Sequence, residues 1–290
     1  MKRTIPTIPR FAFALSGTAL LAACSFQTYS PQPIDPVQTA RQYRALDPQA
    51  AEFRAYMLAQ GYPEAALPVK LWGLRELTLS ALFFHPQLDV ARAQLQTARA
   101  REITAGQRPN PNVSASVGKS EDNVSPWVYN LGIDLPVQTA GKREASIAQA
   151  QALSTAALIE IGQTAWIVRS RLLNSWIEYN AAREQLQILQ QERDLHDEIV
   201  AMLTARLDAG MISSVELGTA RLRLQQAEQA VAAAQGRLPG LRTALASDAG
   251  LPANAFERLD LRSSSFEDLT TREHDTMLAR FHSDTLQDAA

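Results

Sequence analysis

Between Pro136 and Pro239 the chain carries no proline, although 15 prolines are distributed over its 290 residues. Proline removes a backbone donor and clashes with the preceding helical turn, so a long helix requires its absence. The apolar spacing in this interval is helical. Steps of four and three from Ile161 reach Ala165, Val168, Leu172, Ser175, Tyr179, Ala182, Leu186, Leu189, Arg193, His196, Val200, Leu203 and Leu207. Most of these are apolar, which makes a sustained coiled-coil seam rather than the face of a globular helix. Arg193 and His196 interrupt it together, as polar side chains do where a seam opens to water. Beyond Gly210 a second run shows Leu217, Ala220, Leu224, Ala227, Val231, Ala234, Leu238, Leu241 and Leu245. Alternating large residues with alanine lets two helix backbones approach closely.

Lengths constrain how these helices pair. The segment 143–208 is about 100 Å long at about 1.5 Å per residue, and 213–249 is about half of that. A tight turn over 209–213 folds the shorter helix back along the distal half of the long one. The proximal half needs another partner, and 74–107 has about the required length. Its seam runs Leu88, Ala91, Leu95, Ala98 and Ala105, with a pause at His85-Pro86 and an end at Gly106 and Pro109. The expected fold class is therefore mainly α, with very long antiparallel coiled-coil helices. Two short helices stacked end to end flank one long helix, in a rod of about 100 Å. Pro239 falls inside the last helix and should remove a hydrogen bond and kink it.

Between 112 and 136 the period changes to two. Val113, Ala115 and Val117 alternate with Ser114, Ser116 and Gly118; Trp127, Tyr129, Leu131, Ile133 and Leu135 alternate with Val128, Asn130, Gly132 and Asp134. This predicts a β-hairpin with one apolar and one mostly polar face. Two readings stand: strands of an outer-membrane barrel, with the apolar residues toward lipid and Trp127 and Tyr129 near the headgroups, or a hairpin with one solvated face.

The first residues read as an address. Lys2, Arg3 and Arg10 precede an apolar run at 11–21, followed by Leu21-Ala22-Ala23-Cys24. This is an export signal over 1–23, too short to span a membrane. Its end resembles the bacterial lipobox, which implies cleavage before Cys24 and acylation of the thiol. Ser25 in place of Asp implies sorting to the outer membrane. The other reading is an ordinary signal with a chance cysteine. Residues 24–73 then read as an extended tether, with Pro31, Pro33 and Pro36, and a short helix at 48–60 opened by Asp47-Pro48 and stopped by Gly61.

Composition closes other routes. The 28 basic and 30 acidic residues nearly cancel, which argues against a dedicated nucleic-acid binder. One cysteine excludes an intrachain disulfide and a multi-thiolate metal site, and His85, His196, His274 and His282 form no pair at i, i+4. There is no phosphate-binding glycine loop and no nucleophile with a placed base, so no catalytic residue, metal or cofactor is expected. The 7% aromatic content is low for a compact core.

Five segments, in order, carry a family resemblance: Leu77-Thr-Leu-Ser-Ala-Leu-Phe-Phe-His85-Pro86-Gln-Leu88-Asp-Val-Ala91, Arg108-Pro109-Asn110-Pro111, Gly141-Lys142-Arg143, Arg206-Leu-Asp-Ala-Gly210-Met-Ile-Ser213 and Leu245-Ala-Ser-Asp-Ala-Gly250-Leu-Pro252. Over 74–252 the chain resembles the TolC-type outer-membrane efflux factors. The resemblance implies a homotrimer that builds an outer-membrane β-barrel and a periplasmic α-barrel, the exit duct of a tripartite pump for small molecules or metal ions. It implies contact with a periplasmic adaptor at Gly210, Met211, Ile212 and Ser213, and an indirect partnership with an inner-membrane pump. A type I secretion duct and a lipid-anchored periplasmic scaffold or adaptor are the alternatives.

That family has two such repeats, and its second-repeat aperture carboxylates have no counterpart here. Residues 253–290 read as a linker and the opening of a second repeat, 277–290 echoing 81–93 with His282 against His85. A closed outer-membrane barrel needs at least about eight strands, whereas three copies of one hairpin supply six. The expectation is a truncated, non-conducting member, or six copies around a twelve-stranded barrel.

Overall fold

The computed structural model of the protein describes residues 31, 33–119 and 127–262. The chain divides into two compact units, residues 1–42 and 43–290. Cys24, the hairpin loop at 120–126 and the second-repeat echo at 277–290 lie outside the described residues.

Within the segment read as a tether, α1 (Pro36–Arg44) is a fully exposed helix, which corrects the extended reading over those residues. Asp35 is the reason: its Oδ1 accepts the amide hydrogens of Val37 at 2.9 Å and Gln38 at 3.2 Å. Pro36 takes the first helical position, where a missing N–H costs nothing. The second Asp-Pro pair behaves differently. Asp47 Oδ1 accepts from Gln49 at 2.9 Å in a turn, and helix α2 (Ala51–Ala59) starts only afterwards. Its Phe53 and Met57 are fully buried, and Gly61, with φ +77°, ends it.

Strand β1 (Leu71–Trp72) leads into α3 (Leu74–Phe84) and α4 (Pro86–Gly106). His85 between them is extended, with φ −72° and ψ 121°, because the ring of Pro86 disfavours helical backbone in the residue before it. Strands β2 (Asn112–Lys119) and β3 (Trp127–Asp134) form an antiparallel pair. The 67-residue α5 (Lys142–Asp208) follows, then α6 (Ser214–Asp248), α7 (Ala253–Phe256) and β4 (Asp260–Leu261). Strand β4 pairs in parallel with β1, Leu71 opposite Asp260 and Trp72 opposite Leu261.

The long helix has two successive partners. Arg143 near its start donates to the Gly106 carbonyl at the end of α4, and Arg171 Nη1 reaches Gln87 Oε1 at the start of α4, at 3.2 Å. Four residues on, the Ser175 hydroxyl bonds Asp248, the last residue of α6. Thus α4 lies against residues 143–171 and α6 against the remainder, which is the end-to-end arrangement required by the helix lengths. Every α5 seam position from Ile161 to Leu207 is buried or half-buried, Arg193 and His196 included. Arg193 pairs with its neighbour Asp194 at 2.7 Å.

At the level where the two short helices meet, the seam widens into a core. Val168, Leu172, Trp176 and Tyr179 of α5 pack with Leu77, Leu79 and Ala81 of α3, Phe53 and Met57 of α2, Leu245 and Ala246 of α6, and Phe256. The low aromatic content does not exclude a compact core, because the aromatics are concentrated here. Phe53 stacks on Trp72 with centroids 6.3 Å apart, and Phe83 meets Phe84 edge to face at 4.7 Å. The seams beyond use Leu and Ala, which dilutes the aromatic fraction without weakening this cluster.

Pro239 does not break α6, which continues to Asp248. Beside it Tyr179, Gln235, Pro239, Arg242 and Phe256 line a groove of ≈ 350 Å³. Arg242 Nη2 donates to the carbonyls of Glu257 at 3.2 Å and Leu259 at 3.0 Å, closing the turn after α7.

Candidate functional site

The hairpin register places its apolar residues on one face. Val113 stands opposite Ile133, Ala115 opposite Leu131, and Val117 opposite Tyr129, while Lys119 faces Trp127. On the other face Asn112 meets Asp134, Ser114 meets Gly132, Ser116 meets Asn130, and Gly118 meets Val128. Tyr129, Leu131 and Ile133 are each about three-quarters exposed, and Leu135, one residue past the strand, is exposed as well. Eight residues at about 3.4 Å give about 27 Å of strand, comparable with the apolar band of about 25 Å on outer-membrane barrels. Lys119 was not singled out by alternation. It shares the face of the apolar residues at the loop end, with its ammonium 5.9 Å from the centre of the Trp127 ring.

The base of the hairpin is tied by Arg143, whose Nε donates to the Gly106 carbonyl at 3.1 Å with Nη2 on the same oxygen. That oxygen belongs to the last turn of α4, where carbonyls have no helical donor. The Gly-Lys-Arg motif contained this residue, but the partner lies 37 residues away and nothing in the local pattern names it.

At the opposite end of α5 the chain reverses within a few residues. Gly210 has φ +72°; its amide donates to Leu207 O at 2.8 Å and that of Met211 to Arg206 O at 2.9 Å. This pair of bonds closes the helix with a left-handed residue, a conformation glycine adopts without penalty. Ser213 opens α6, its Oγ accepting from Glu216 N at 3.4 Å. Met211 is 68% exposed, Ser213 is exposed and Ile212 is half-buried. Val215 adds a further exposed apolar side chain that the motif did not include. The four tip residues thus present a small, partly apolar turn, exposed at Gly210, Met211 and Ser213.

The central core holds the buried polar groups. Glu76 accepts from Gly73 N at 2.8 Å and from the Tyr62 hydroxyl at 3.0 Å, and burial followed by the Glu76 charge pushes the Tyr62 phenol up to about 12. His85 is nearly buried at the α3–α4 break, and burial holds its imidazole below the usual value despite Asp248, which acts the other way. Among the described residues no group of His, Cys, Asp or Glu could hold a metal ion, and no helix is long and apolar enough to cross a membrane. The latter says nothing about a β-barrel.

Comparison with known proteins matches this architecture. The cobalt-zinc-cadmium resistance protein CzcC of Cupriavidus metallidurans is 25% identical over 182 residues, covering 63% of this chain and 42% of that protein. The outer membrane protein VceC of Vibrio cholerae superposes with a TM-score of 0.54 at 20% identity, over 73% of this chain and 56% of that one. The CmeC outer membrane channel of Campylobacter jejuni gives 0.55 at 16% identity, over 67% and 44%. The chain thus spans about half the length of these relatives. The family model for outer membrane efflux proteins matches residues 78–250, from α3 through the hairpin and tip to the end of α6. Since that match covers more than half of the sequence, the chain belongs to the outer membrane efflux protein family.

Proposed function

We propose that the chain is a subunit of an outer-membrane efflux channel, an exit duct for small molecules or metal ions across the periplasm and outer membrane. The observation that carries this reading is the family match over the helical scaffold and the hairpin together. On this reading the hairpin turns Val113, Ala115, Val117, Trp127, Tyr129, Leu131, Ile133 and Leu135 toward lipid and its polar face toward a water-filled lumen. The tip at Gly210, Met211, Ile212 and Ser213 receives a periplasmic adaptor, through which an inner-membrane pump is coupled indirectly. Cys24 carries the lipid anchor. Channel walls form by homo-oligomerisation, as a trimer. The protein performs no covalent chemistry: a duct passes what the pump delivers, so the substrate is set elsewhere. The likeness to CzcC supports metal ions as one cargo class.

Fractionation and crosslinking test the reading. The expected result is an outer-membrane oligomer; a soluble monomer after removal of lipid would refute it. At the tip, Gly210→Trp should abolish crosslinking to the adaptor while membrane insertion is retained, and unchanged crosslinking would discard the docking assignment. Lipid labelling that survives Cys24→Ala would exclude this residue as the anchor.

A further inference from the structure

We infer that the start of α4, at its joint with α3, is a proton-responsive latch: neutral His85 caps the helix where it meets α5 and the end of α6, and protonation removes that cap. Four elements meet here. His85 is 9% exposed, and its Nδ1 accepts the amide hydrogen of Gln87 at 3.3 Å, which caps α4. Gln87 in turn accepts from Arg171 of α5 at 3.2 Å. The Ser80 hydroxyl of α3 donates to the Ala249 carbonyl at 2.9 Å, at the end of α6. Gly250 lies so close that a Cβ built on it would stand 2.8 Å from His85 N.

A cap of this kind works only with an unprotonated Nδ1. Imidazolium donates from both nitrogens, so protonation removes the acceptor and sets two N–H groups against each other. It also places a cation on a largely buried residue. Two charged groups act on it from the neighbouring helices, Asp248 of α6 favouring the proton and Arg171 of α5 opposing it. On α4 itself, Asp89 and Arg92 pair with each other at 3.0 Å. Asp248 itself is engaged by the Ser175 hydroxyl.

The direction follows from burial. The folded imidazole holds its proton less tightly than the unfolded one, whose value is 6.5. The latch is fully engaged above about that pH and weakens as pH falls below it. Asparagine caps helices at least as well and does not titrate in this range, so H85N separates capping from titration.

The test uses the full chain in detergent, with amide exchange of residues 87–90 followed from pH 7.5 to 5 and corrected for intrinsic rates. In the wild type the opening of this segment should rise by up to about tenfold per pH unit below 6.5, the limit for uptake of one proton. In H85N it should stay flat, and D248N should lower the imidazole pKa read by NMR. An H85N profile as steep as the wild type, or His85 titrating at or above 6.5, overturns the proposal. If H85N does not fold, the wild type decides alone: His85 titrating below 6.5 together with opening of 87–90 supports the latch, and either one without the other refutes it.

Discussion

Gly210 and Gly250 have nearly the same backbone angle, φ +72° and +74°, and different surroundings. A Cβ at Gly210 would meet nothing within 4 Å, whereas at Gly250 it would stand 2.8 Å from His85 N and 2.9 Å from the Phe84 carbonyl carbon. Alanine at Gly210 should therefore cost only the left-handed backbone penalty, about 1–2 kcal/mol. Alanine at Gly250 should cost clearly more, since backbone atoms cannot rotate aside. Urea denaturation of both variants checks this ordering, and equal losses would contradict it. Tyr62 provides a test by pH. Its phenol rises from 10.0 to about 12 through burial and Glu76, so its contribution is complete below pH 10 and is lost as pH climbs through 12. Tyr62→Phe should flatten the alkaline limb of the stability profile between those values, measured by thermal melting. A glycine following a helix is legible as a stop or turn signal at 61 and 210. What each glycine touches is not, because Gly250 meets residues more than a hundred and sixty positions earlier in the chain.

The elements differ in how much of themselves they write into sequence. Helix α5 was readable because its seam repeats over many turns, and the end-to-end placement of α4 and α6 followed from lengths alone. Strands β1 and β4 were not, because two residues carry no period and their pairing joins Trp72 to Leu261. Helix α1 was missed because three prolines masked a start signal that Asp35 and Pro36 supply. The seam also varies in depth along α5. Leu172 is fully buried in the central core, while Leu203 near the tip is only half-buried. Leu172→Ala should cost about 2–5 kcal/mol, and Leu203→Ala less than half as much. Chemical denaturation of the two variants measures the ratio; comparable losses would mean that the core at the joint is no tighter than the distal seam.

For the whole molecule the decisive property is the unsatisfied apolar face of the hairpin. Val113, Val117, Tyr129, Leu131 and Ile133 lie together on one side of β2 and β3, and each is at least 62% exposed in the single chain. A contiguous apolar patch of this kind marks an interaction surface, since water gains nothing from it. The alternation disclosed the two faces, but a pattern of period two is the same for a barrel strand and for a solvated hairpin, so sequence could not assign the environment. Neighbouring positions can. Leu131 points to the apolar face and Asn130 to the polar one, within the same strand and next to each other. In a barrel, arginine at 131 would sit in hydrocarbon and cost about 2–4 kcal/mol near the midplane, roughly 30- to 900-fold in partitioning. Arginine at 130 would face the lumen, where water solvates it. Leu131→Arg should therefore abolish the outer-membrane oligomer while Asn130→Arg retains it, as measured by crosslinking in the membrane fraction, a readout that a lipid anchor at Cys24 does not supply. If the face is solvated instead, the difference between the two variants disappears, because replacing an exposed leucine with arginine then leaves assembly unchanged.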